Sequence, residues 1–406
     1  MDKLLSVEVY VGLCLALVLQ TNYRLAAGIG VGEIGLAVFT GVSLLTAINR
    51  RREQVAASSD FPRFFVIYVL GGLSLSTAVT MLMGEVHQPG ELGEWRDYTA
   101  YALSALFIWS LSRHQLNLER CSIAFLVAAT LLVSYQYHYG GAEAWYASRF
   151  TGGAKNPNQL TLYAVCGLLM AVAFLRSPTL KCAAIAGCTA AGYLTRSDAF
   201  LATTAVIVAS YVIAVAVPPR FFVPAFACGS GVAAFIWYSY SGVALDFLHQ
   251  RWATADEGGL RMTLYANGFE AWTHSWWTLL AGNGAGVFSG EFGPFEGMEA
   301  HNTPIDTLTI GGVVGFVGLY WVAGRATLRA YANSQPLLFA CTAGLLALSC
   351  FHFVGRHPIF WFTILVLDSL QRPQPASAAA VPALSDPQRT PDRTALTTAP
   401  PLLGGC

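Results

Sequence analysis

The sequence predicts an all-α integral membrane protein with about twelve transmembrane helices and one large extramembrane loop. Three observations carry that prediction. Of 406 residues, 55% are hydrophobic and only 11% charged. The apolar residues fall in repeated runs longer than a soluble core needs, each closed by charge, Pro or Gly. The Lys and Arg residues concentrate in alternate loops, as the positive-inside rule requires.

Runs at 4–21, 26–48, 64–83, 98–112, 121–138, 158–175, 182–195, 198–217, 221–240, 304–323, 336–351 and 358–370 read as the spans. A hydrocarbon core asks for ~20 residues. The runs at 98–112, 182–195 and 358–370 are short, so ten or eleven spans also fit. The first run lacks the small-residue cleavage site of a signal peptide and is expected to stay as an anchor. Residues 1–370 therefore form one membrane domain, and 371–406, rich in Pro, Ala, Ser and Thr, form a tail expected to be disordered in the cytoplasm. The cysteines lie mostly within or beside apolar runs with no Cys-x-x-Cys, so they read as small hydrophobes.

Arg50, Arg51, Arg52 and Arg63 flank the loop after the second run, whereas the next loop carries Glu85, Glu91, Glu94 and Asp97 against Arg96 alone. The first of these loops is thus expected to be cytoplasmic. Counting alternate loops places fifteen of the 23 Lys and Arg residues inside and both termini in the cytoplasm. The eight outside are Arg24, Arg96, Arg149, Lys155, Arg196, Arg251, Arg261 and Arg356. Arg24 and Arg96 read as ordinary loop solvation. Arg196 sits in Thr195-Arg196-Ser197-Asp198, a turn so tight that its charges must lie at the interface, where a guanidinium seeks a phosphate or carboxylate. Asp198 is its local alternative.

The long loop, about 241–303, is expected to be ordered. Leu260, Leu264, Ala271, Trp272 and Trp276 recur at helical spacing, and Trp272, Trp276 and Trp277 suit a helix lying among headgroups. Arg261 is expected to open that helix, where the helix dipole disfavours a cation unless an anionic ligand offsets it. Gly282-Asn283-Gly284-Ala285-Gly286 reads as a flexible turn rather than a dinucleotide fingerprint. Next come His301-Asn302, nine residues, and Gly312-Val313-Val314-Gly315, which place an imidazole at the mouth of a span. Among guanidinium groups that imidazole would stay neutral and accept a proton. Glu296 and Glu299 are positioned to orient it, although loop carboxylates are ordinarily solvated. His352 and His357, flanking Arg356, read as structural and match no metal-site spacing.

His-Asn, a nine-residue gap and Gly-x-x-Gly together resemble the hallmark of the bacterial O-antigen ligase and polymerase superfamily, although Phe316 stands where a Thr commonly follows the last Gly. Arg149-Phe150-Thr151-Gly152-Gly153-Ala154-Lys155-Asn156-Pro157-Asn158 resembles the family's Arg, Gly and Asn-Pro-Asn lead into a span, and Thr195-Arg196-Ser197 its short arginine-bearing turn. The likeness covers roughly 140–330.

The resemblance implies glycan transfer from an undecaprenyl-pyrophosphate donor to a hydroxyl acceptor at the periplasmic face of the inner membrane. The acceptor would be the lipid A core or another lipid-linked glycan. Catalytic roles carry over to His301, Arg196 and Arg261, with Arg149, Lys155, Asn156, Asn158 and Asn302 as substrate contacts. Outside that membrane there is no ATP, so an activated lipid pyrophosphate fits the setting. No Asp-x-Asp lies on the outer face, leaving Arg rather than a metal to neutralise the leaving group. Neither cofactor nor nucleic acid is expected; membrane lipids are. Ligation to lipid A core stands slightly ahead of polymerisation, and transfer to protein comes last. In a different class, many spans with interfacial arginines also describe a transporter of an anionic solute. Such proteins usually repeat Gly- or Pro-broken spans in matching halves, a pairing not visible here.

Overall fold

Every apolar run within the described residues is helical. The computed structural model describes residues 6–25, 29–49, 60–83, 93–221, 256–285 and 299–370. Residues 222–240 of the ninth run, Arg251, Glu296, the side chain of Arg96 and the tail 371–406 lie outside them. The helices are α1 (Val7–Leu17), α2 (Val31–Asn49), α3 (Asp60–Met83), α4 (Gly93–Arg113), α5 (Leu118–Tyr139), α6 (Pro157–Phe174), α7 (Pro178–Leu194), α8 (Asp198–Ala216), α9 (Asp256–Thr273), α10 (Trp276–Ala281), α11 (Thr303–Ala332), α12 (Pro336–Ser349) and α13 (Pro358–Leu370). A two-residue hairpin, β1 (Trp145–Tyr146) with β2 (Arg149–Phe150), is the one sheet among the described residues.

The chain is an all-α membrane protein: α3, α5, α6, α8 and α11 are each long and apolar enough to cross a bilayer, and α1, α2, α12 and α13 are shorter apolar helices. Side chains such as Leu82, 86% exposed, turn outward with no polar cover, as a lipid-facing surface would. The apolar window of α6 is 78% buried against 17% for α8, so α6 runs through the centre of the bundle. It packs on α7, α12 and α13, and α13 is itself buried from Pro358 to Asp368.

Two helices depart from regular geometry, and they meet. Residues Ile67–Leu73 of α3 form a π turn, and α11 breaks at Gly312, whose φ of 59° is left-handed. Tyr68 presses its hydroxyl against Gly311 and Gly315, and Phe64, stacked on Tyr68 at 5.9 Å, lies against Gly318. The second Gly of Gly-x-x-Gly thus makes room for an aromatic ring from α3, while the first supplies a backbone bend. Phe316 stacks on Tyr320 at 4.7 Å.

Candidate functional site

The loops that carry the motifs are tied together in two groups. In the first, the α1–α2 loop holds the 149–156 segment: Asn22 N–H donates to Gly153 O at 2.9 Å, and Gln20 Nε2 to Gly152 O at 3.1 Å. Gly152 and Gly153 have φ of 60° and 89°, which glycine alone adopts freely. Asn156 caps α6 by accepting from Asn158 N–H at 2.8 Å, and Pro157 occupies the first helical position. Asn158 accepts from Ser197 Oγ at 2.5 Å, and Arg149 Nε donates to Thr195 O at 3.1 Å. The two arginine-bearing motifs, about forty residues apart in sequence, are therefore one local unit. Asn156 and Asn158 serve in holding it.

Arg196 stands at the tip of the α7–α8 turn, exposed and with φ of 46°. No ion pair joins it to Asp198. Neither its guanidinium nor that of Arg261 has a hydrogen-bond or ion-pair partner among the described residues, and the ammonium of exposed Lys155 has none either. Arg24, by contrast, is not simply solvated: Nη2 lies 3.5 Å from Glu33 Oε1.

The second group centres on His301. Asp306, 1% exposed and one turn into α11, accepts from Ala300 N–H at 2.8 Å and Asn302 N–H at 3.0 Å. This brackets His301 and fixes it at φ 53°. Asn302 caps α11 through Ile305 N–H at 3.2 Å and donates to Cys350 O at 2.8 Å. Thr303 Oγ1 donates to His352 O at 2.6 Å and accepts from Val354 N–H at 2.8 Å. Asn302 and Thr303 thus sew the His301 segment to the 350–357 loop.

Among the described residues the charged group against His301 is the carboxylate of Glu299, one of the two the sequence offered, rather than a guanidinium. Nδ1 lies 2.9 Å from Glu299 Oε1, within ion-pair reach though off the line of a hydrogen bond, and the imidazole is 40% exposed. Glu299, expected as a solvated loop residue, is 12% exposed and pairs through Oε2 with Arg356. Arg356 also reaches Asp97 Oδ1 at 3.0 Å and lies over the Phe353 ring. Burial would raise the Glu299 carboxyl, but Arg356 and His301 outweigh it and hold it below the usual carboxylate range. Burial and His357 push His352 down to about 3, and burial and Arg356 push His357 down to about 3, so both are neutral at pH 7.

Three further expectations are corrected. Arg261 does not open its helix: α9 begins at Asp256, and Arg261 is its sixth residue, because Asp256 and Glu257 suit the positive helix end better than a cation. The Trp-bearing stretch is not one helix but two, since Ser275 and Thr278 form a capping box that starts α10 afresh. Gly282–Gly284 is not a flexible turn. Asn283, 2% exposed, donates its backbone N–H to Thr309 O at 2.8 Å and its side chain to Ala271 O and Thr309 O, both at 3.1 Å. Gly284 N–H donates to Ile310 O at 2.9 Å, and Ser76 Oγ to Gly282 O at 2.5 Å. The carbonyls that the break at Gly312 frees from α11 are those this segment captures.

Sequence reasoning passed over Asp306, although its signal was present: it is the sole charged residue between His301 and Arg325. Comparison with protein-family models and with curated protein sequences returns no match.

Proposed function

We propose that the protein transfers a glycan from a polyprenyl-pyrophosphate donor, undecaprenyl pyrophosphate in a bacterium, to a hydroxyl acceptor at the outer face of the inner membrane. O-antigen ligation to the lipid A core is the favoured form, ahead of polymerisation onto a lipid-linked repeat. The observation that carries this reading is a difference in partnering. Arg356 is committed to two carboxylates, whereas Arg196 and Arg261 make no ion pair among the described residues. Interfacial guanidinium groups left unpaired favour an anionic ligand with forked oxygens, which a pyrophosphate supplies.

In the proposed step His301 takes the proton of the acceptor hydroxyl as its oxygen bonds to the anomeric carbon. The bond from that carbon to the pyrophosphate oxygen breaks, and its electron pair leaves with the diphosphate. Arg196 and Arg261 hold the charge that develops there, with Arg149 and Lys155 nearby in the fold of the first loop group. A single displacement inverts the anomeric configuration.

Incubating the purified protein with a lipid-pyrophosphate glycan and each acceptor tests the reading. His301→Ala is expected to lower transfer by ~10²–10⁴-fold while inserting normally. Arg196→Lys and Arg261→Lys should each lose most donor use, with Arg→Ala worse, because an ammonium meets a pyrophosphate only as a point charge. Near-normal transfer by His301→Ala overturns the assignment.

The break in α11 favours a second reading, since transporters line their sites with discontinuous helices. Here the freed carbonyls of Thr309 and Ile310 already accept from Asn283 and Gly284, which leaves them spent rather than open to an ion. Product formed without a gradient decides between the two.

A further inference from the structure

Glu299 shares its carboxylate between two groups of different kinds. Oε2 faces Arg356, a guanidinium that can only donate hydrogen bonds, and Oε1 faces Nδ1 of His301 at 2.9 Å. Neither partner is free to drift. Arg356 is held from its other side by Asp97 at 3.0 Å and rests 4.8 Å over Phe353, and the backbone on either side of His301 is bonded to Asp306. An ionised carboxylate accepts and cannot donate, so Nδ1 must carry the hydrogen wherever the two engage. The lone pair then sits on Nε2, which makes no hydrogen bond among the described residues, on an imidazole 40% exposed. The off-line contact between Nδ1 and Glu299 is of the kind that tightens when substrate binds.

We propose that Glu299, held by Arg356, is the positioning residue that fixes His301 in its Nδ1–H tautomer and so selects Nε2 as the proton-accepting atom. The catalytic consequence rests on the transferase reading above; the tautomer does not.

One substitution separates positioning from a merely structural ion pair. In Glu299→Gln the amide oxygen must face Arg356, since the guanidinium offers only donors. The NH₂ is thereby turned toward His301, forcing Nδ1 to accept and moving the proton to Nε2. The near-isosteric Gln should therefore be at least as harmful as Glu299→Ala. Arg356→Met frees the amide to rotate, so it should partly restore the Glu299→Gln variant.

The experiment is ¹⁵N NMR of the histidine-labelled protein in detergent, with a His301→Gln spectrum to assign the His301 signals, run beside the transfer assay. The wild type is expected to show the Nδ1–H form, and Glu299→Gln the Nε2–H form with transfer lowered by about 10²–10⁴-fold. An Nε2–H signal in the wild type overturns the proposal whether or not any variant folds. Unchanged tautomer in Glu299→Gln, with His301→Ala inactive, sinks the positioning role and spares the base. A switched tautomer with His301→Ala fully active sinks the base and leaves the positioning standing.

Discussion

His301 and Gly312 both hold left-handed backbone, and the residue type at each follows from what surrounds it. At His301 two hydrogen bonds to Asp306 fix the conformation, so a side chain is tolerated there at a cost of about 1–3 kcal/mol. At Gly312, φ is 59° and a Cβ would run into the carbonyl of Leu280. Gly312→Ala is thus expected to destabilise the protein by about 2–4 kcal/mol, read as a lower unfolding midpoint in detergent. Gly41, which has open space where a Cβ would go, is the control: Gly41→Ala should be neutral or slightly stabilising. The sequence made His301 conspicuous because an imidazole beside an apolar run is rare. It named Glu299 as able to orient the imidazole but did not reveal Arg356 as the partner of that carboxylate, since 57 residues separate the two and loop carboxylates look alike until burial is known.

Helices were the most legible elements, because long apolar runs closed by Pro, Gly or charge leave the backbone few alternatives. Their irregularities were less so. Gly-x-x-Gly marked the place where α11 bends, but nothing in the run itself pointed to Gly282–Gly284 as the segment that would satisfy the exposed carbonyls. Glycines around an Asn ordinarily mean freedom; here they let backbone approach backbone. Asn283→Ala removes the side-chain donor from Ala271 O and Thr309 O and is expected to cost about 1–3 kcal/mol. Hydrogen exchange should show the amides of Gly284 and of the first turns of α11 losing protection together. If only residue 283 changed, the clamp would be a local contact rather than a joint between two elements.

Across the whole molecule, Glu299, His352 and His357 respond to acid in one sense. The folded Glu299 carboxyl lies below its ordinary value, so its stabilisation is complete above that value and is lost as pH falls through the folded one. His352 and His357 are lowered to about 3 from 6.5, so below 6.5 the unfolded chain takes up protons that the folded chain refuses. The thermal midpoint in detergent should therefore fall from pH 7 to pH 5, and the His352→Gln, His357→Gln double variant should flatten that slope. At this scale the sequence conveyed a helical membrane protein. Pairing among loops was hidden, because it depends on which helix ends the packing brings side by side.

The double attachment of the long loop has a further consequence. Gly284 is tied to Ile310 and Ala300 to Asp306, so the chain leaves and rejoins the same short stretch of one helix. Both anchor points lie on α11, so the imidazole is located by the helix it precedes and not by the length of chain that leads up to it.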